Sequence, residues 1–209
     1  MKTKNKDFIE FDFYAKIKDG EIFDTTLNDV AIKAGLTDKE DKQRFKPLRI
    51  CIGEGMILKG LDNALCDKEL NKEYSIELSP DESFGKRKAN LIRTFPITAF
   101  KTRPYPGMLV NVEGTIAKVV SANSGRIMLD FNNPLSGKIV IYNFTIKRII
   151  SEDKEKIETL FDGYGLKAKS ISLDGKKTKI EMEEKYPKQV LEEISKKINE
   201  LIKIESEFN

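Results

Sequence analysis

The segment 51-CIGEGMILKGLDNAL-65 places three glycines within eight residues, between an apolar segment and a short helix-like segment. A dinucleotide-binding loop needs G-x-G-x-x-G, and here Gly53 and Gly55 are followed by Leu58 at the third position. A P-loop needs Lys and Ser or Thr after its last glycine, and neither follows Gly60. The glycines therefore predict a tight turn that leads from a strand into a short helix, and not a phosphate site.

Composition bounds the class of protein. The chain has 209 residues, of which 39% are apolar and 34% charged, and its net charge is +3. These values predict a soluble globular protein of one or two domains with no requirement for nucleic acid. No apolar run approaches the ~18 residues of a membrane span, and the N-terminus turns acidic where a signal peptide would be apolar. Cys51 and Cys66 form no C-x-x-C pair and are interpreted as free thiols, so we expect a cytoplasmic protein.

The sequence contains no histidine. Histidine is the commonest general base and the commonest metal ligand, so a Ser-His-Asp or Cys-His site is excluded within this chain. A zinc site would have to combine two separated cysteines with carboxylates, which is an unusual ligand set. We expect no metal and no cofactor. An enzyme built from this chain would use chemistry that needs neither a metal nor proton transfer.

The first part of the chain predicts an antiparallel sheet. Residues 7–17 alternate between apolar and polar side chains, which predicts a half-buried strand with Ile9, Phe11, Phe13 and Ala15 on one face. The further predictions are a hairpin turn at Asp19-Gly20 with a return strand, a short helix and a charged loop within 27–43, a strand before Gly53, a short helix over 57–66, and strands over 72–80 and 139–150. An antiparallel sheet with one short helix against it is an α+β half-barrel.

Two further regions differ from this pattern. Residues 86–107 carry three of the seven prolines and are followed by short glycine-broken strands, which predicts a small inserted all-β unit. From about residue 152, a helix with a glycine stop, a hairpin with Asp174-Gly175 at its tip and a helix over 186–208 predict an α/β helix-hairpin-helix domain. The last helix has an apolar stripe, interpreted either as packing on the hairpin or as a homodimer seam: Val190, Leu191, Ile194, Ile198, Leu201 and Ile202.

Four motifs follow one another along the chain: DGEIFDTT (19–26), KPLRICIGEGMILKGLDNAL (46–65), SPDESFGKR (79–87) and DFNNPLSGK (130–138). Together they resemble the FKBP-type peptidyl-prolyl cis-trans isomerases, and among these the SlyD-like branch and its long archaeal members. In that branch a small insert-in-flap domain interrupts the catalytic domain. The resemblance implies a catalytic domain of residues 1–86 plus 130–151, an insert-in-flap chaperone domain of residues 87–129 and a C-terminal domain of residues 152–209.

The resemblance also implies the residues of the site. In the family the glycine-rich stretch leads into the helix that floors the active site, and a backbone N–H at the position of Ile57 contacts the substrate carbonyl. Leu61 takes the floor, which is tryptophan in single-domain eukaryotic members, while Phe13 and Phe84 stand where the family has tyrosine. The implied catalytic residues are Phe13, Phe23, Asp24, Ile57, Leu58, Leu61, Phe84 and Tyr142, with Tyr14 and Leu48 as neighbouring substrate-binding residues.

Prolyl isomerisation suits a chain without histidine, because rotation about an X–Pro bond makes and breaks no covalent bond and an apolar pocket favours the twisted, less polar imide. The inserted unit is too small to cover all of its apolar residues, so we predict that they bind unfolded chains: Phe95, Ile97, Phe100, Tyr105, Met108 and Leu109. The predicted function is an isomerase with chaperone activity toward unfolded or partly folded proline-containing polypeptides. The alternative is a polypeptide-binding holdase without useful catalysis.

Overall fold

The chain divides into two units in the computed structural model, which describes residues 1–38 and 44–208. The first unit comprises residues 1–78 and 140–209, and the second comprises residues 79–139. The charged loop predicted at the end of segment 27–43 falls partly in residues 39–43, which lie outside the described residues.

The described strands and α-helices follow this order along the chain: β1 (Phe8–Ile17), β2 (Ile22–Thr25), α1 (Asn28–Lys33), β3 (Leu48–Cys51), α2 (Lys59–Ala64), β4 (Glu73–Leu78), β5 (Ile92–Pro96), β6 (Leu109–Val112), β7 (Thr115–Asn123), β8 (Arg126–Asp130), β9 (Val140–Ile149), α3 (Asp153–Tyr164), β10 (Ala168–Asp174), β11 (Lys177–Met182), α4 (Lys188–Ile202) and β12 (Glu205–Phe208).

The first unit is built on an antiparallel sheet in the order β2-β1-β9-β4, and β3 pairs with the first half of β1. The alternation predicted for β1 is confirmed, because Ile9, Phe11, Phe13 and Ala15 are all buried. Asp12 on the opposite face is buried as well, which the alternation did not predict: Thr26 Oγ1 donates a 2.8 Å hydrogen bond to its carboxylate. The predicted α+β class with an antiparallel sheet and few helices is therefore confirmed.

The C-terminal region contains one element more than the predicted helix-hairpin-helix. The predicted last helix ends at Ile202, where Lys203 adopts a left-handed conformation with φ 65°. Residues 205–208 then form β12, which pairs in parallel with β11 in the sheet β10-β11-β12. Prediction of a continuous helix was wrong here, because the open edge of β11 offers backbone hydrogen bonds that sequence periodicity does not report.

The C-terminal region shares one apolar core with the start of β1 and the end of β3. Phe8 and Cys51 pack in the same buried cluster as Ile157, Ile194 and Ile198. Ion pairs surround this core: Arg49 on β3 reaches Asp162 at 2.7 Å and Glu158 at 3.5 Å on α3. Three residues of the predicted stripe, Ile194, Ile198 and Ile202, are thus buried within the chain, as the packing interpretation predicts.

The second unit is a small antiparallel sheet in the order β5-β8-β7-β6. Alternate residues of three strands form its core: Val110, Ala117, Val119, Ile127 and Leu129. Short 3-10 turns at 80–82, 89–91 and 97–99 connect or flank the strands. The unit matches the all-β character predicted from its glycine turns and alternating residues.

Candidate active site

A carboxylate of the protein itself occupies the glycine-rich turn. Asp62 on α2 is 5% exposed and accepts hydrogen bonds from the backbone N–H of Gly53 at 2.8 Å and of Gly55 at 3.1 Å. Gly53 has φ +86°, and a Cβ there would overlap the Asn5 side chain. These two backbone N–H groups therefore bind the Asp62 carboxylate and not a phosphate, and this contact fixes the start of α2 against the turn.

Replacing Asp62 with alanine is expected to lower the free energy of unfolding by about 2 kcal/mol, because two backbone donors of the turn lose their acceptor. Urea denaturation measures this change. Glu77→Ala is the matched control, since the Glu77 side chain is 47% exposed and forms a surface ion pair with Lys18 at 2.9 Å. The control is expected to cost less than about 0.5 kcal/mol. Equal losses in the two variants would contradict this role for Asp62.

Three aromatic rings form a wall on one face of the sheet. The centroid of the Tyr142 ring on β9 lies 5.6 Å from the centroid of the Phe13 ring and 6.2 Å from that of the Phe23 ring. The rings of Tyr142 and Phe23 meet edge to face. Phe13 and Tyr142 are buried and Phe23 is half-buried. Such contacts hold rings in fixed orientations. We call these three residues the aromatic wall.

A β-bulge explains how Phe23 and Asp24, which are adjacent in β2, both serve this face. Ala15 is paired with Asp24, whereas Lys16 is paired with Ile22, so Phe23 is the extra residue. A bulge re-aims side chains that would otherwise alternate between faces. The Phe23 ring can thus contact the Tyr142 ring, while Asp24 stays in the same cross-strand row as Tyr142.

The cross-strand row of Asp24, Ala15 and Tyr142 brings the Asp24 carboxylate close to the Tyr142 hydroxyl. Ala15 lies between Asp24 and Tyr142 in register, and its methyl group leaves room above the sheet. Burial, with a contribution from the charge of Asp24, raises the pKa of the Tyr142 hydroxyl, so this group stays protonated and can donate a hydrogen bond. Tyr142 can thus offer a neutral donor beside the Asp24 carboxylate.

Apolar surroundings raise the pKa of the Asp24 carboxyl above its usual value, although Asp24 as a whole residue is exposed. The backbone N–H of Thr25, at 2.8 Å from Oδ1, and the charge of Arg44 oppose this rise. The site therefore combines an apolar wall, one carboxylate at its rim and one neutral hydroxyl. That combination suits an apolar ring with a polar carbonyl beside it.

Thr25 and Thr26 hold this hairpin together, and the sequence analysis did not identify them. Thr25 Oγ1 donates to the carbonyl of Phe13 at 2.9 Å, and the N–H of Phe13 donates to Thr26 Oγ1 at 2.9 Å. Both threonines are buried. The signal was present in the motif, since two consecutive hydroxyl side chains after Asp24 can satisfy backbone groups beside a bulge.

The other predicted site residues of the first unit have these positions. Leu61 is 2% exposed on α2, which packs against β4, and Ile76 of β4 is the cross-strand partner of Tyr142. Ile57 and Leu58 are half-buried directly before α2. Leu48 is half-buried and pairs with Phe11, whereas Tyr14 follows Phe13 and points to the opposite face of β1.

Phe84 belongs to the second unit, so its place beside the aromatic wall stays a prediction. Within that unit two of the four motifs meet at Phe84. Ser136 Oγ donates to the Phe84 carbonyl at 3.1 Å, and the N–H of Gly137 donates to the Gly85 carbonyl at 2.8 Å. The SPDESFGKR and DFNNPLSGK segments therefore form one connected loop pair.

The predicted polypeptide-binding residues of the second unit separate into two groups. Phe95, Ile97, Phe100 and Met108 pack against the core of the unit and are partly buried. Tyr105 and Leu109 are 65% and 63% exposed. Other exposed apolar side chains were missed: Ile116, Val120 and Met128. They alternate with buried core residues along the strands. This alternation identifies the face of the sheet that forms the core, but it does not predict that the opposite face is exposed to solvent.

The arrangement of residues 1–38 and 44–208 bears on metals and membranes. No group of three or more Cys, Asp or Glu residues is placed to hold a metal ion in this part of the chain. None of the helices described there is long and apolar enough to cross a membrane.

Comparison with known proteins gives consistent matches. Residues 1–99 match the family model of the FKBP-type peptidyl-prolyl cis-trans isomerases, and residues 93–135 match that of the FKBP26 IF domain. The short-type peptidyl-prolyl cis-trans isomerase of Methanocaldococcus jannaschii is 29% identical over 147 residues, which cover 69% of this chain and 90% of that protein. The FKBP-type isomerase SlyD of Helicobacter pylori is 25% identical over 129 residues, covering 57% of this chain and 70% of that protein.

A third relative, the FKBP-type 16 kDa peptidyl-prolyl cis-trans isomerase of Escherichia coli, is 25% identical over 125 residues. These cover 55% of this chain and 82% of that protein. The matches and the four sequence motifs point to the same family.

Proposed function

We propose that this chain, an FKBP-type peptidyl-prolyl cis-trans isomerase of the SlyD-like kind with an insert-in-flap domain, accelerates proline-limited folding and also acts as a chaperone. Its substrates are X–Pro bonds in unfolded or partly folded polypeptides. The observation that carries the proposal is the aromatic wall of Phe13, Phe23 and Tyr142 with the Asp24 carboxylate at its rim.

The chemistry follows from the imide bond. Its partial double bond gives a rotation barrier of about 20 kcal/mol, which is crossed in tens of seconds without a catalyst. Twisting removes the resonance and lowers the polarity of the C–N bond, so an apolar wall favours the twisted state over the solvated planar one. Binding a proline ring against Phe13, Phe23 and Tyr142 therefore lowers the barrier by stabilising the transition state more than the ground state.

The polar groups orient the carbonyl that rotates. The Tyr142 hydroxyl and the backbone N–H of Ile57 are the proposed donors to this carbonyl, while the charge of Asp24 sets the local electric field around the hydroxyl. Leu58 and Leu61 supply the floor, and Leu48 extends the binding surface on the same face. Tyr14 points to the opposite face of β1 and does not join it, and the part of Phe84 stays a prediction. No proton is transferred in this scheme, which accords with a sequence that has no histidine.

Chaperone activity is proposed for the second unit. Exposed apolar side chains of β6, β7 and β8 lie on the face opposite its core, and we call Leu109, Ile116, Val120 and Met128 the open face. Exposed apolar side chains grouped on one sheet face are a feature of surfaces that bind other polypeptides. Tyr105 adds a further exposed ring.

Refolding of a reporter protein with a native cis-proline tests the isomerase directly. The slow, proline-limited phase is expected to become faster in proportion to the concentration of this protein, because each encounter rotates one X–Pro bond. A variant of the reporter without that proline lacks the slow phase and serves as the control. A slow phase whose rate constant does not change with added protein would favour the alternative, a holdase that binds polypeptides without catalysis.

Three further assignments are proposals. Catalysis is assigned to residues 1–86 plus 130–151, polypeptide capture to residues 87–129, and residues 152–209 to a C-terminal domain whose apolar core also contains Phe8 and Cys51 of the catalytic domain. A homodimer through the C-terminal domain would use surfaces other than the buried part of the α4 stripe, and sedimentation equilibrium tests it. Both cysteines are free thiols, which fits a reducing compartment such as the cytoplasm.

A further inference from the structure

The C-terminal region reaches the glycine-rich turn through Met56. This side chain packs against the core that contains α3 and α4, and its Sδ accepts a 3.3 Å hydrogen bond from the backbone N–H of Cys51. Met56 lies in a notch over Gly163 of α3, because a Cβ at Gly163 would overlap its terminal methyl group. The residue that follows Met56 is Ile57.

Gly163 is the last residue but one of α3 and, unlike Gly165, has no positive φ. Its backbone conformation is therefore open to any residue, and the conformational freedom of glycine brings no benefit there. The glycine at the end of the same helix, Gly165, does adopt the left-handed conformation that ends it. What Gly163 provides is space, and Met56 occupies that space.

An ion pair forms a second connection to the same turn. Lys197 on α4 pairs with Glu54, whose side chain is only 9% exposed. Hydrogen bonding to Glu54 is the main cause that raises the pKa of Lys197. Glu54 lies between Gly53 and Gly55, whose N–H groups are held by Asp62. The turn is therefore fixed from α2 on one side and from α3 and α4 on the other.

We propose that Gly163 and Lys197 are positioning residues for the active site: through Met56 and Glu54 they set the turn that places the Ile57 backbone N–H and the start of α2. The C-terminal region would thus contribute to catalysis on short peptides without touching them. The link from turn position to rate rests on the proposed function, whereas the mechanical link from Gly163 to Ile57 does not.

A double-mutant cycle tests the connection. Gly163→Val is expected to displace Met56 and lower kcat/KM on a short X–Pro peptide about tenfold or more, because small misplacements of a reacting geometry have effects of that order. Met56→Ala removes the anchor and is expected to lower kcat/KM as well. In the Met56→Ala background, Gly163→Val should change kcat/KM by less than about twofold, since nothing is left to displace.

Amide hydrogen exchange at Gly55 and Asp62 supplies a readout that does not depend on catalysis, because the Gly55 N–H donates to the Asp62 carboxylate at 3.1 Å and the Asp62 N–H donates to the Leu58 carbonyl at 2.9 Å. Gly163→Val and Lys197→Met should each accelerate exchange at these amides, while Lys188→Met should not. Lys188 is the matched control, because it also lies on α4 and its ion pair is with Glu192 of the same helix, at 3.5 Å.

The outcomes separate the two ideas. If Gly163→Val lowers activity equally with and without Met56, or leaves exchange at the Gly55 amide unchanged, the positioning proposal is wrong. If the wild-type protein does not accelerate isomerisation but the amide pattern follows the prediction, the proposed function fails and only the mechanical link stands, which overturns a catalytic purpose for Gly163 and Lys197.

Discussion

Replacing Asp24 with alanine is expected to lower kcat/KM on a short X–Pro peptide about ten- to a hundredfold. Hydrogen bonds and close contacts to a charged group contribute about 1.5–3 kcal/mol, and about 1.4 kcal/mol corresponds to a factor of ten in rate. Asp24 lies in one cross-strand row with Ala15 and Tyr142, and its charge acts on the Tyr142 hydroxyl. Without the carboxylate, the hydroxyl loses the field that orients it. Exchange spectroscopy by NMR measures the rate.

The loss should not come from unfolding. Burial raises the pKa of Asp24, so folding favours its protonated form. The stabilisation from this group is therefore present at low pH and is lost as the pH rises through the raised pKa. At neutral pH its removal should leave the free energy of unfolding nearly unchanged. Glu21→Ala in the same hairpin is the matched control, and equal activity losses in both variants would assign the effect to net charge alone.

The same shift gives the activity a characteristic pH dependence. The carboxylate form is the one that acts on Tyr142, so wild-type kcat/KM should fall as the pH decreases through the Asp24 pKa. Because that pKa is raised, the fall begins at a higher pH than a surface aspartate, with an ordinary pKa of about 3.9, would give. The Asp24→Ala variant should lack this step.

The second large effect concerns the open face of the second unit. The triple change Leu109→Thr, Ile116→Thr and Met128→Thr is expected to weaken binding of a permanently unfolded polypeptide on the order of tenfold to a hundredfold. Each exposed apolar side chain contributes roughly 1 kcal/mol when it is covered, and three contributions add to a factor of this size. Suppression of aggregation of a proline-free reporter measures the loss. Threonine keeps the strand preference of these positions.

Catalysis on short peptides separates this surface from the active site. The triple variant should keep the wild-type kcat/KM on a short X–Pro peptide, because none of its three residues belongs to the aromatic wall. Ile32→Thr with Leu173→Thr is the matched control, since both side chains are exposed apolar residues of the first unit. Full suppression of aggregation by the triple variant would show that the open face is not the binding surface.

Local patterns in the sequence predicted much of the fold. Alternation gave β1 and β4 to within a residue or two, and the glycine after Tyr164 marked the end of α3. These features are determined by neighbours along the chain, where period and turn chemistry act directly. The four motifs were informative for the same reason, because each is a short run with its own turn or cap.

Features that depend on distant residues were not predictable. The carboxylate that occupies the glycine turn comes from Asp62, and only the fold brings it there. The strand β12 depends on a free edge of β11. In the second unit, Phe95 and Phe100 were predicted to bind polypeptides because they are apolar. Both pack against the core of the unit, where their rings meet edge to face. Sequence shows which residues are apolar but not which side of a small sheet stays open.

We propose that the first unit catalyses X–Pro rotation at the aromatic wall. NMR exchange between the cis and trans forms of a short X–Pro peptide, measured with wild-type protein and with Asp24→Ala, tests this. Short peptides avoid any contribution from folding or from capture by the second unit. We predict that substoichiometric wild-type protein broadens and exchanges the two sets of peptide signals, and that the variant does so at least about tenfold more slowly. Unchanged exchange in the presence of folded wild-type protein would contradict the claim.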